Sequence, residues 1–153
     1  MQVNISIFRE VLSRLNKVES EWGAADAELG RCERNCERAR TELRKVSLDI
    51  GLSPTIEYGT GQEYEALEKV YTSVASPAIG KAWIAVKKAD AEFNKALTKL
   101  DSTMTKCEDV ELKAWYDIID AMGLSHELFP PPDDLGTVLV SIASKAICSL
   151  GRR

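Results

Sequence analysis

FREVLSRLNKVESEWGAADAELGRCERNCERARTELRKVSLDI, residues 8–50, decides the fold. Its apolar positions are Phe8, Val11, Leu15, Val18, Trp22, Ala25, Leu29, Cys32, Cys36, Ala39, Leu43, Val46 and Ile50. The steps between them alternate three and four without a break, a repeat of seven with Leu15 at position a and Val18 at position d. Side chains three and four apart share a helix face, so the stretch reads as one long helix over about 5–50 with a coiled-coil-like seam. Gly23 and Gly30 interrupt it, and each costs about 1 kcal/mol against Ala in a helix interior. Their expected use is close approach of another helix, or a bend. Gly51 followed by Pro54 is the order of a helix stop.

Residues 51–61 read as loop, punctuated by Gly51, Pro54, Gly59 and Gly61. Thr60 and Glu63 have capping-box spacing, which predicts a short helix over about 62–75 with Tyr64, Leu67, Val70 or Tyr71, and Val74 on its apolar face. Ser76 and Pro77 suit an N-cap and a first helical turn. The seam then returns at Ile79, Trp83, Val86, Asp90, Phe93, Leu97, Leu100, Met104 and Cys107, broken by Asp90 alone. An acid at a seam position either fixes the register or turns to solvent while Ala89 or Ala91 takes its place. Beyond Cys107 the stripe shifts to Leu112, Trp115 or Tyr116, Ile119 and Met122. The helix over 77–107 therefore either continues to about 122 with a changed face or breaks near Glu108 and Asp109. The connector 124–134 holds Pro130, Pro131 and Pro132, with Leu128 and Phe129 expected to pack down. Asp133 is placed to cap a last helix, about 134–150, with Leu135, Val138, Leu139, Ile142, Ala146, Ile147 and Leu150 inside.

No strand pattern interrupts these helices, so the fold expected is all-α. A single domain over 1–153 would hold a long antiparallel helical hairpin, completed by the shorter helices into a bundle. Pairing residues whose numbers sum to about 122 sets Ala39 against Trp83 and Ala25 against Leu97, small against large. A register one heptad away, near 129, satisfies the same repeat.

Composition agrees with a helical, surface-rich protein. The 153 residues are 44% hydrophobic, 29% charged and 7% aromatic, with a net charge of −4. That is chain enough for a core without staples. Five prolines and nine glycines are too few for a loop-rich or disordered class. Charge appears within the first ten residues, so no signal-peptide core is expected, and no run approaches a membrane span. Cys32, Cys36, Cys107 and Cys148 then read as reduced thiols of a cytoplasmic protein.

Chemistry is sparse. His126 is the one histidine, and any Cys-His or Ser-His nucleophile would have to use it. No catalytic residue is assigned. Cys32 and Cys36 share a helix face at a spacing that could supply two zinc ligands, but zinc takes four, and the seam explains both thiols. No metal or cofactor is expected.

Charge is more informative. Arg31, Arg34, Arg38 and Lys45 fall on the outer side of the first long helix, and Lys81, Lys88 and Lys95 recur seven apart on the second. Two surfaces follow. The second helix, ending near 107, is shorter than the first, so the seam at Phe8, Val11, Leu15 and Val18 needs cover from the C-terminal helices or from a second chain. That favours a non-enzymatic interaction module (adaptor, inhibitor or regulatory binding protein) that binds a protein partner or forms a homodimer. The alternative is a duplex nucleic-acid binder, RNA or DNA, whose phosphates meet the basic stripes.

Overall fold

A computed structural model describes residues 4–51, 61–73 and 76–152. Within them run α1 (Ile5–Asp49), α2 (Gly61–Ser73), α3 (Pro77–Ala121) and α4 (Leu135–Leu150), with no strand among the described residues. The two long helices pack together, as an all-α bundle requires. The capping box at Thr60 and the apolar positions Tyr64, Leu67 and Val74 lie outside the residues whose side chains are described, as does most of the loop over 51–61.

Helix ends follow the local chemistry. Gly51 adopts φ 80° after α1, a left-handed conformation that costs glycine little. Pro77 opens α3, and the Ser76 carbonyl accepts from the Gly80 N–H at 3.1 Å. α3 closes with a Schellman motif at Gly123, φ 67°. There the Leu124 N–H donates to the Ile119 carbonyl and the Gly123 N–H to that of Asp120, both at 3.0 Å. At α4 the N-cap residue is Asp134, not Asp133, and its side chain makes no capping hydrogen bond.

The stutter past Cys107 leaves α3 unbroken. Both long helices therefore have 45 residues, about 68 Å each. The overhang expected of a shorter second helix does not exist. Register also differs from the first pairing considered. Arg14 meets Asp117 at 2.9 Å, Glu21 meets Lys106 at 2.6 Å, and Arg40 meets Asp90 at 3.1 Å. Those residue numbers sum close to 129, one heptad from 122. Asp90 thus faces Arg40 and the Cys36 thiol rather than Cys32, while Ala89 is buried in its place. Neither Gly23 nor Gly30 marks a close helix approach. A Cβ at Gly23 would meet nothing within 4 Å, and one at Gly30 would meet only the Arg34 guanidinium at 3.6 Å.

The chain divides into two compact units: Met1–Asp26 with Lys99–Arg153, and Ala27–Thr98. The first buries Phe8, Val11 and Leu15 of α1 against Ala114, Trp115, Ile118 and Ile119 of α3 and Leu139 and Ala143 of α4. The second buries Leu43 of α1, Tyr71 of α2, and Ile79, Ala82, Trp83 and Val86 of α3, with Ala39 and Val46 against them. Its Tyr71 and Trp83 rings lie 5.1 Å apart at 30°.

Candidate functional site

The seam residues proposed for a second chain are spent inside the protein. Phe8, Val11, Leu15 and Val18 are all buried, and the first three pack in the core that α3 and α4 complete. The uninterrupted α3 is the reason: it reaches the start of α1, so the chain covers its own seam.

The basic residues fall as the heptad placed them. Arg31, Arg34, Arg38, Lys45, Lys81, Lys88 and Lys95 are all exposed and all belong to Ala27–Thr98. Arg31 is engaged: it pairs with Glu28 through two hydrogen bonds, which hold its pKa well above the ordinary arginine value. The other six make no ion pair among the described residues. His126 is exposed, hydrogen-bonded to Asp120 and set beside Tyr116 with ring centroids 4.6 Å apart at 33°. Among the described residues no group of three or more His, Cys, Asp or Glu could hold a metal ion. No described helix is long and apolar enough to cross a membrane.

A concavity that the sequence reading did not foresee lies in the first unit. It encloses about 690 Å³. Leu15, Val18, Glu19 and Trp22 of α1 form one wall, at i, i+3, i+4 and i+7. Met104, Cys107, Glu108 and Glu111 of α3 form the opposite wall with the same spacing. α4 contributes Gly136, Thr137 and Val140. Each wall is thus one helix face about 10 Å long. The first turn of α4 supplies only a glycine and a threonine there, which leaves the space between the walls unfilled.

Three properties define this groove. It is apolar at its base, yet Trp22 is 39% exposed, Met104 46% and Val140 44%, all large side chains a filled core would cover. Its charges are of one sign: Glu19, Glu108 and Glu111 line it, with no Lys, Arg or His. Of these carboxylates Glu111 is half-buried, while Glu19 and Glu108 are exposed. Burial, with help from Glu108, raises the Glu111 pKa, and burial followed by the nearby Glu111 and Glu21 carboxylates raises the Cys107 thiol. Glu111 rests against the bare backbone of Gly136, where a Cβ would come within 2.6 Å of its Oε1.

A sequence signal for the groove existed. Continuing the α3 repeat past Cys107 lands on Glu111, an acid at a seam position, just where the apolar stripe shifts. The stutter removes an apolar side chain from the seam and substitutes a carboxylate. Trp22, at a seam position on α1, is left 39% exposed.

No family model, no curated protein and no solved structure matches this chain.

Proposed function

We propose that the protein is a non-enzymatic helical interaction module, and that the groove of its first unit receives an apolar segment of a partner protein flanked by Lys or Arg. The observation that carries this reading is the conjunction of an exposed apolar base with three carboxylates and no cation. Two parallel-spaced helical walls suit an amphipathic helix laid between them. Burial first, and the Glu108 charge second, make Glu111 reluctant to ionise, and a cation brought beside both carboxylates would offset this. Cys107, the one thiol in the groove, is a poor nucleophile because its thiolate is disfavoured.

The test follows the indole resonances of the protein by NMR. Trp22 is exposed, while Trp83 and Trp115 are buried. An amphipathic Leu/Lys helix should shift the Trp22 indole signal saturably and leave that of Trp83 in place. A Leu/Glu helix of the same pattern should not, and Thr137→Arg, which fills the groove and adds a cation, should abolish the shift. Equal shifts with both peptides, or an unchanged response in Thr137→Arg, would sink the reading.

A second reading rests on Arg34, Arg38, Lys45, Lys81, Lys88 and Lys95 of the second unit, exposed cations without an ion pair among the described residues: binding to duplex RNA or DNA through its phosphates. Anisotropy of a labelled duplex should then fall log-linearly with salt. Changing Arg34, Arg38 and Lys88 together to Glu should remove the signal without loss of helicity. No binding at low salt ends this reading.

A further inference from the structure

The sequence led us to expect Leu128 and Phe129 to pack down, but they do not: Leu128 is 76% exposed, more than any other large apolar side chain described, and Phe129 is 41% exposed. Single exposed apolar residues are ordinary. These two begin the run Leu128-Phe129-Pro130-Pro131-Pro132, with Glu127 before it and Asp133 and Asp134 after it. From 124 to 136 there is no Lys or Arg.

The run is conformationally set. Each proline fixes its own φ, and each residue before a proline is confined to extended or polyproline II backbone. Phe129, Pro130 and Pro131 all precede a proline, so Phe129–Pro132 extends about 9 Å as a left-handed ribbon. The fold holds it at one point. The Trp115 indole N–H donates to the Phe129 carbonyl at 3.0 Å, and the Phe129 N–H donates to the Ser125 carbonyl at 3.2 Å. Pro131 and Pro132 are half-buried, and Pro130 is exposed. The carbonyls of Pro130 and Pro131 accept no hydrogen bond from the described residues.

We propose that this strap is a docking ligand for a proline-recognising domain of the EVH1 type, one that seats an aromatic side chain ahead of a short proline run in an aromatic-lined groove with a basic rim. Three observations select that partner. A polyproline ribbon loses little ordering entropy on binding, and its free carbonyls suit the Trp and Tyr donors of such grooves. Phe129 directly precedes the prolines, and the run is too short to supply two prolines three positions apart, so a domain that reads this strap must take the aromatic together with the prolines. The acids on both flanks, without a compensating cation, ask for a basic rim.

Titration calorimetry of the intact protein with a purified EVH1 domain tests this, with an SH3 domain as comparison. The expected result is saturable binding with Kd below about 1 mM, weakened by added salt. Leu128→Ser and Phe129→Ser should each weaken it at least about tenfold. Thr137→Arg, which acts on the groove, should leave it unchanged, so failure here is separable from failure of the groove reading. Should Phe129→Ser lose helicity, Leu128→Ser and Pro130→Ser decide, since both positions face solvent. No EVH1 binding, equally strong SH3 binding, or variants that bind like the parent would each overturn the proposal.

Discussion

The two units are built from opposite halves of the same two helices, yet they close in different ways. The Ala27–Thr98 unit closes with an aromatic pair, Tyr71 on Trp83, and carries as many basic as acidic residues, with its cations turned outward. The other closes with α4, has four more acids than bases, and gathers three of its glutamates round an unfilled groove. A heptad seam alone therefore does not decide what a bundle segment can do. The third helix laid on it, and the sign of charge at its margin, make one segment a closed core and the other a receptive surface.

The largest expected effect tests whether both cores hold the fold. Trp83 is 2% exposed and Ile118 1%. Trp83→Ala should cost about 3–5 kcal/mol, and Ile118→Ala about 2–5 kcal/mol, from lost burial plus the cavity left behind. Urea unfolding of both variants checks this. A cost below about 1 kcal/mol for either would mean that its unit contributes little to stability, and the comparison of two real cores would collapse.

Next comes the ion pair that ties α1 to α3 in the first unit. Arg14 and Asp117 have side chains only 26% exposed, and Lys113 also reaches Asp117. Burial alone would raise the Asp117 pKa, but the hydrogen bonds from Arg14 and Lys113 outweigh it and hold the carboxyl below its usual range. A depressed folded pKa contributes stability above the unfolded value, and that contribution is lost as pH falls through the folded one. Asp117→Asn should therefore cost about 1–2 kcal/mol at pH 7, allowing for partial exposure. The deficit should shrink towards zero in acid.

Much of the fold was legible because burial in a helix pair repeats in sequence. Phe8, Val11, Leu15, Val18, Ala25, Cys32, Cys36 and Leu43 were read from spacing alone and are all buried. Register was not legible from the same signal, because a heptad matches itself at every seventh residue. Arg40 with Asp90 and Glu21 with Lys106 distinguish one register from the next. The groove escaped for a related reason. The seam pattern counts Trp22, Met104 and Cys107 as core, whereas a core position is filled only if the opposing helix supplies a bulky side chain, and Gly136 and Thr137 are small. The exposure of Leu128 and Phe129 was not legible, because apolar character argues for burial while a rigid proline connector leaves open which of its residues reach the core.

Gly23 offers a gain rather than a loss. It sits in α1 with open space where a Cβ would be, so Gly23→Ala should stabilise by about 1 kcal/mol through helix propensity alone. Thermal unfolding measures this directly. A loss would show that the position next to Trp22 needs glycine's backbone, and that α1 is less regular beside the groove than in the second unit.

The smallest effect carries the most information about the groove, because its sign is opposite to that of Asp117 on the same helix. Burial, then Glu108, raises the Glu111 pKa. A raised folded pKa contributes stability that is fully present below the unfolded value and lost as pH rises through the folded one. Glu111→Gln should therefore match the parent in acid and exceed it by about 0.5 kcal/mol near pH 7, where the parent carries an incompletely solvated carboxylate. The same charge that weakens the empty groove should strengthen the occupied one: Glu111→Gln should bind the Leu/Lys helix less tightly, and parent binding should tighten as Glu111 ionises. If Glu111→Gln were both more stable and an equally good binder, the carboxylate would be a defect of packing and not part of a site. Opposed effects on stability and affinity are what a carboxylate that costs the empty groove and serves a cationic partner must show.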